Sequence, residues 1–288
     1  MYYAYGETMP LVEALKTYRL QLLLALSLLA GLYYAIIPEM VLQWYNDDNY
    51  SHGFIIPLVS GWFLYTRWDS LKKALVEPWG PGLLIIIFGL VQLTIGWLCT
   101  EYFTMRSSLV VLLAGLTLYL LGKGVFRIAL LPLAYLLFMV PIPYIVYDAA
   151  AFPLKLFITK VSVWFLKVAG IVVWREGNIL MFPQVTFEVA DACSGTRSLM
   201  SLLALGVAYA IISQTSNLKR WFLILATIPI AIFTNALRVI ITGILAQWWG
   251  AKAAEGFFHE FAGIAVFALA MLLLVALGTM LARGGKKG

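Results

Sequence analysis

The sequence predicts an all-α polytopic membrane protein of about eight transmembrane helices, with an amphipathic helix and a short β-hairpin on its outer face. Three observations carry this. Of 288 residues 62% are apolar, only 12% are charged, and the mean hydropathy is +0.91, more apolar content than a soluble core and its surface accommodate. Apolar runs long enough for roughly 30 Å of hydrocarbon recur along the whole chain. Basic residues cluster in alternate connections between those runs, as retention of Lys and Arg on the cytoplasmic side requires. This composition excludes a disulfide-stapled secreted scaffold, a disordered tail and a soluble nucleic-acid binder, despite a net charge of +6.

The first run, Leu20 to Ile37, is a retained anchor, because Tyr33, Tyr34 and Pro38 stand where a cleavable signal would need small residues. The next, Phe54 to Thr66, is short and carries Pro57, so it is a tilted or re-entrant element or a full span. Leu83 to Cys99, Ser107 to Leu121, Ile128 to Val146, Arg197 to Ser213, Trp221 to Ile241 and Phe261 to Leu281 complete the set. Lys16 and Arg19, then Arg67, Lys72 and Lys73, Lys123 and Arg127, Lys219 and Arg220, and Arg283, Lys286 and Lys287 all fall on one side of such a map. That side is the cytoplasm. It holds both termini of a single membrane-embedded domain, 1–288, in the cytoplasmic (inner) membrane.

The longest outer connection, 147–193, divides into two parts. Phe152 to Gly170 mixes apolar residues with Lys155, Lys160 and Lys167 and carries Trp164 and Phe165, a composition suited to the membrane surface. Ile171 to Ala190 is rich in β-branched and aromatic residues about a Gly177-Asn178 turn and reads as a hairpin. No internal repeat or low-complexity tract is visible.

Reactive side chains are scarce: two cysteines and two histidines. Cys99 closes an apolar run and reads as a small buried thiol. Cys193 stands outside the membrane just before a helix start, with Arg197 one turn on. Both the helix N-terminus and the guanidinium favour thiolate, the attacking form. It is a candidate nucleophile, with a packing role or a disulfide to Cys99 as the alternatives. His259 opens the last span at its outer end, where an imidazole can take up and return the protons that acyl transfer moves; the alternative is an interfacial histidine without a partner. His52 competes with it. Arg238 lies near the outer end of an apolar span, where a guanidinium is costly unless paired, wet or able to snorkel. Read functionally, it is a fixed cation for an oxyanion or a substrate carbonyl, oriented through Asn235 on the same face.

These residues carry a resemblance. Asp191-Ala192-Cys193-Ser194-Gly195 leading into Arg197, then Asn235-Ala236-Leu237-Arg238, then His259 with Gly263, together with Tyr50-Ser51-His52-Gly53, are similar to the motifs of the exosortase/archaeosortase family. The resemblance runs from about Tyr50 to the last span. It implies a membrane cysteine transpeptidase that cleaves the C-terminal sorting tails of exported proteins, each tail being a short motif (typically Pro-Glu-Pro in bacteria), a transmembrane helix and a basic end. It implies Cys193 as nucleophile, Arg238 as the transition-state arginine and His259 as acid/base. His52, Asp191, Ser194, Arg197 and Asn235 shape the site or bind substrate. The acceptor would be a lipid, a glycan or water, and such systems accompany exopolysaccharide production. No cofactor, metal or nucleic acid is called for. The rival readings are a transporter or flippase for lipid-linked saccharide, using Arg238 and His259 as ligands, and a glycan-polymerising or acyltransferase enzyme that leaves Cys193 dispensable.

Overall fold

The computed structural model describes residues 9–183, 185–189, 196–249 and 257–283. The helices cluster in two compact units, Met1–Pro143 and Tyr144–Gly288.

In the first unit β1 (Met9–Pro10) leads into α1 (Leu11–Thr17), which bends by 79° into α2 (Arg19–Tyr33). Next come α3 (Ile36–Asn46), a 3₁₀ turn Ser51–Phe54, α4 (Ile55–Thr66), α5 (Trp68–Lys73), β2 (Leu75–Val76), α6 (Gly82–Leu98), α7 (Tyr102–Leu116), α8 (Gly122–Tyr135) and a 3₁₀ turn Leu136–Met139. β1 and β2 form a two-residue antiparallel ladder that the sequence does not announce. α1 lies over it, burying Leu11 and Ala14 against Leu71, Val76 and Val125. α7 starts on a cap: the Glu101 carboxylate accepts from the N–H groups of Phe103 (3.1 Å) and Thr104 (2.6 Å), satisfying two of the four orphan donors of a helix start.

The run Tyr102–Met139 is helical over 38 residues, about 57 Å if it were one rod. It is not one rod. Gly122 has φ +83°, and a Cβ there would meet the Glu77 carbonyl oxygen at 1.9 Å, so only glycine makes this corner. The two ends of the run also meet. Gln43 and Trp44, adjacent on α3, hydrogen bond to Arg106 near the start of α7 and to the Met139 carbonyl (2.9 Å) at the other end. The run is therefore two antiparallel limbs joined at Gly122. The second limb stops at Met139, not at Val146 as expected, because Pro141 and Pro143 lack the N–H groups a helix needs.

The second unit comprises α9 (Tyr144–Val168), a three-stranded antiparallel sheet of β3 (Trp174–Glu176), β4 (Ile179–Met181) and β5 (Thr186–Glu188), then α10 (Thr196–Ser213), α11 (Asn217–Trp249) and α12 (Phe257–Arg283). The expected hairpin is there, turning at Gly177 (φ +60°), with a third strand added beyond it. The lysine-bearing segment expected on the membrane surface is one 25-residue helix, α9, starting eight residues earlier than expected and long and apolar enough to cross a bilayer. Its second half packs along α11, the Ser162 hydroxyl donating to the Ala236 carbonyl at 3.3 Å.

The protein is thus a largely helical membrane protein. Among the described residues four helical stretches meet the length and hydropathy of a membrane span, or five if α1 and α2 are one bent span. α4, α6 and the apolar part of α10 are shorter, so the eight crossings expected are met only in part.

Candidate active site

α11 packs antiparallel to both α10 and α12. Ala210, Leu223 and Leu274 pack together near one end. Four residues along, a Cβ on Gly206 would meet the Thr227 side chain at 2.6 Å, and four further on Leu202, Ala231 and Ala270 pack together. Two turns beyond Ala231 stands Arg238, and two turns before Ala270 stands Gly263. A Cβ on Gly263 would lie 3.3 Å from Arg238 Nη2 and 3.6 Å from its Cζ. The guanidinium therefore rests on the backbone of α12, in the space that the missing side chain leaves. His259 lies one turn earlier on α12, on the same face as Gly263.

The chain approaching α10 is anchored beside the same turn. Val189, fully buried, belongs to one apolar cluster with Leu180 and Phe182 of the sheet region, Leu166 of α9, and Ala236 and Val239 of α11, the two positions that bracket Arg238. The surroundings are dry. Arg238 is 8% exposed and Asn235 2%, and Thr234 and Thr242 on the same helix are buried too. A cation so desolvated exerts a far stronger field on a neighbouring oxyanion than it would in water.

Three of the expected site residues, Asp191, Cys193 and Ser194, lie outside the described residues. Arg197 is placed as a position in the first turn of α10 and His259 as one in the first turn of α12. Asn235, three residues before Arg238 on α11, is buried, and its carboxamide makes no hydrogen bond among the described residues. Cys99 departs from expectation. It follows the last residue of α6, where the apolar run ends, and is exposed and free.

His52 belongs to the first unit and has a local occupation. Its imidazole, 8% exposed, hydrogen bonds to the backbone at Phe138 and Asn49, while Tyr50 Oη donates to the Ile142 carbonyl at 2.9 Å. Burial pushes the imidazole below its ordinary range, and the two backbone contacts only partly restore it. Gly53 follows because a Cβ there would sit 2.5 Å from the Trp44 indole. Together with Trp44, the Tyr50-Ser51-His52-Gly53 segment holds the stretch 138–142.

Sequence reasoning passed over Arg106, buried on α7 at 5% exposure with its Nη1 donating to Gln43 and its Cζ 5.1 Å from the Tyr102 ring centroid. The signal was available: it is a lone basic residue at the end of an apolar run that the charge pattern assigns to the outer face.

Fold and site define a polytopic helical membrane protein with a desolvated arginine held between two apolar helices. The transmembrane exosortase family matches residues 44–276, and the chain belongs to that family, as its motifs implied. No curated protein and no solved structure matches the chain.

Proposed function

We propose that this exosortase-family protein is a cysteine transpeptidase of the cytoplasmic membrane that cleaves C-terminal sorting tails from exported proteins through a thioester on Cys193. One observation carries the reading: Val189, the last described residue before Cys193, packs with Ala236 and Val239 on the turn of α11 that bears Arg238, and the Arg238 guanidinium rests on Gly263 of α12, four residues after His259 in the chain. Cys193 is four residues beyond Val189, a reach of at most about 14 Å. In this reading all eight apolar runs cross and α9 does not complete a ninth crossing, so that both termini are cytoplasmic and the helix ends bearing the three groups face outward.

The tail helix lies among the spans with its motif at the outer face. Cys193 thiolate adds to the scissile carbonyl, and Arg238 stabilises the oxyanion of the tetrahedral intermediate. As the C–N bond breaks, His259 gives its proton to the departing amine, leaving an acyl thioester. A second nucleophile, water or an amine or hydroxyl on a lipid or glycan, loses a proton to His259, attacks the thioester and frees the thiolate. Fixing the tail as a membrane helix replaces a bimolecular encounter by a positioned one, which lowers the barrier substantially.

The test is Cys193→Ala in cells expressing a substrate with such a tail. The full-length, tail-bearing form should accumulate while the variant reaches the membrane in normal amount. Complete processing by that variant would overturn the proposal.

A further inference from the structure

Asn235 is anomalous among the buried polar residues of the second unit. Ser162 donates to the Ala236 carbonyl, Thr234 to the carbonyls of Ile230 and Ala231, and Thr159 and Thr227 each to a carbonyl one turn back. Each hydroxyl has spent its donor on backbone. Asn235, only 2% exposed, has neither its carboxamide oxygen nor its nitrogen hydrogen bonded among the described residues. A primary amide left without partners in an apolar interior is among the least favourable arrangements a helix can carry, and buried amides elsewhere in proteins are almost always paired. A leucine at this position would have no such penalty. The residue is explained if its partner is something the protein binds.

The chemistry of that partner follows from what is missing. A carboxamide offers one acceptor and a donor pair side by side, and the neutral group that complements both is another amide, as along a strand edge. An anion would leave the oxygen unmatched, and a cation the nitrogen.

Position narrows it further. Asn235 precedes Arg238 by three residues on the same face of α11, which places it about 4.5 Å further along the helix axis, toward the end that starts at Asn217. In the topology proposed above, that is the direction in which a tail descends from its outer motif to its basic end. An extended chain advances about 3.4 Å per residue, so the peptide group level with Asn235 is about one residue beyond the carbonyl that Arg238 polarises.

We propose that Asn235 is a substrate-binding residue that pairs through its carboxamide with the backbone peptide group on the C-terminal side of the scissile bond. The inference rests on the transpeptidase reading and adds the recognition step: main-chain pairing at this point makes no demand on side-chain identity just past the motif. It also demands an extended conformation where the tail would otherwise start its helix, because a helical residue has its N–H and C=O committed to its own turns.

The test uses the full chain in nanodiscs with Cys193→Ala, so that binding is read without turnover. The probe is a synthetic tail with a Pro-Glu-Pro motif, an apolar helix and a Lys/Arg-rich end. Asn235→Leu, close in shape but apolar, should bind the tail about 5- to 100-fold more weakly, the range for leaving one buried hydrogen-bonding group unmatched, while melting at the same temperature or higher. Asn235→Ala, which adds no bulk, should weaken binding similarly. A tail with an ester in place of the peptide N–H one residue beyond the scissile bond should lose affinity against the Asn235 chain and lose little more against Asn235→Leu. Unchanged binding by both Asn235 variants, or equal loss from the ester on both chains, overturns the assignment of Asn235 and leaves the transpeptidase reading intact. A lower melting temperature for Asn235→Leu with undiminished binding overturns it as well, by revealing an internal partner. Failure of the Cys193→Ala chain to bind any such tail overturns the sorting reading itself and the peptide as occupant with it.

Discussion

Gly263 offers a perturbation whose effects on stability and on turnover have opposite signs. In Gly263→Ala the new methyl carbon would stand 3.3 Å from Arg238 Nη2 and 3.6 Å from Cζ, closer than relaxed contacts, so the guanidinium must withdraw by a few tenths of an ångström. The helix itself gains, since alanine inside a helix is favoured over glycine by roughly 0.5–1 kcal/mol. A misplacement of about 1 Å in a catalytic group can cost about 100-fold, so a few tenths scale to a loss of about three- to fivefold in kcat. KM should change little, because in the proposed mechanism the charge that Arg238 stabilises exists only in the transition state. Gly263→Leu would occupy the guanidinium's own space and should cost at least about 100-fold. The assay is tail cleavage in nanodiscs at saturating substrate, with melting followed on the same preparations. A Gly263→Leu chain that folds and cleaves at the parent rate would refute the placing of Arg238 over α12 as part of the site.

Two other expectations concern the first unit. His52 is pushed below its ordinary value by burial, so the folded state prefers the neutral ring. Stability is fully present above about pH 6.5 and is lost as pH falls below it toward the lowered folded value. Melting scans from about pH 8 to about pH 5 should show a decline that is shallower in His52→Gln, and identical slopes would remove the buried-neutral account. Gly122→Ala adds a Cβ 1.9 Å from the Glu77 oxygen at a positive φ and should destabilise the protein by at least about 2 kcal/mol in denaturant titration; a neutral result would contradict the sharp corner between α7 and α8.

Much of the fold is legible because hydrocarbon imposes a strict length rule. The apolar runs beginning at Leu83, Arg197 and Phe261 reappear as α6, α10 and α12 with ends shifted by a few residues. What hydropathy does not reveal is set by tertiary contact. The two-residue pairing of β1 with β2 leaves no periodic trace, and the alternation over residues 186–189 marks a strand without saying that it adds to the hairpin as a third. α9 illustrates the limit from the other side: its three lysines argue for the surface, yet its length and hydropathy equally suit a crossing, because both environments select an apolar helix with cationic punctuation. In the site, Arg238 was legible as an expensive charge in an apolar run. Gly263 was legible only as part of a motif, since its use, room for a guanidinium, appears when α11 and α12 are packed together. His52 stands out in the sequence because histidine is rare in the chain, but its hold on the backbone at Phe138, far away in sequence, is not legible there.

The claim on which the rest depends is that sulfur at position 193 carries the acyl group. Purified protein in nanodiscs would be mixed briefly with a tailed substrate, quenched in acid and digested, and the peptide containing Cys193 read by mass spectrometry. The account predicts the substrate's newly formed C-terminus joined to Cys193 through a bond that hydroxylamine cleaves, building up before product. Product formation with no such adduct, or an adduct on another residue that survives when Cys193 is replaced, would contradict it.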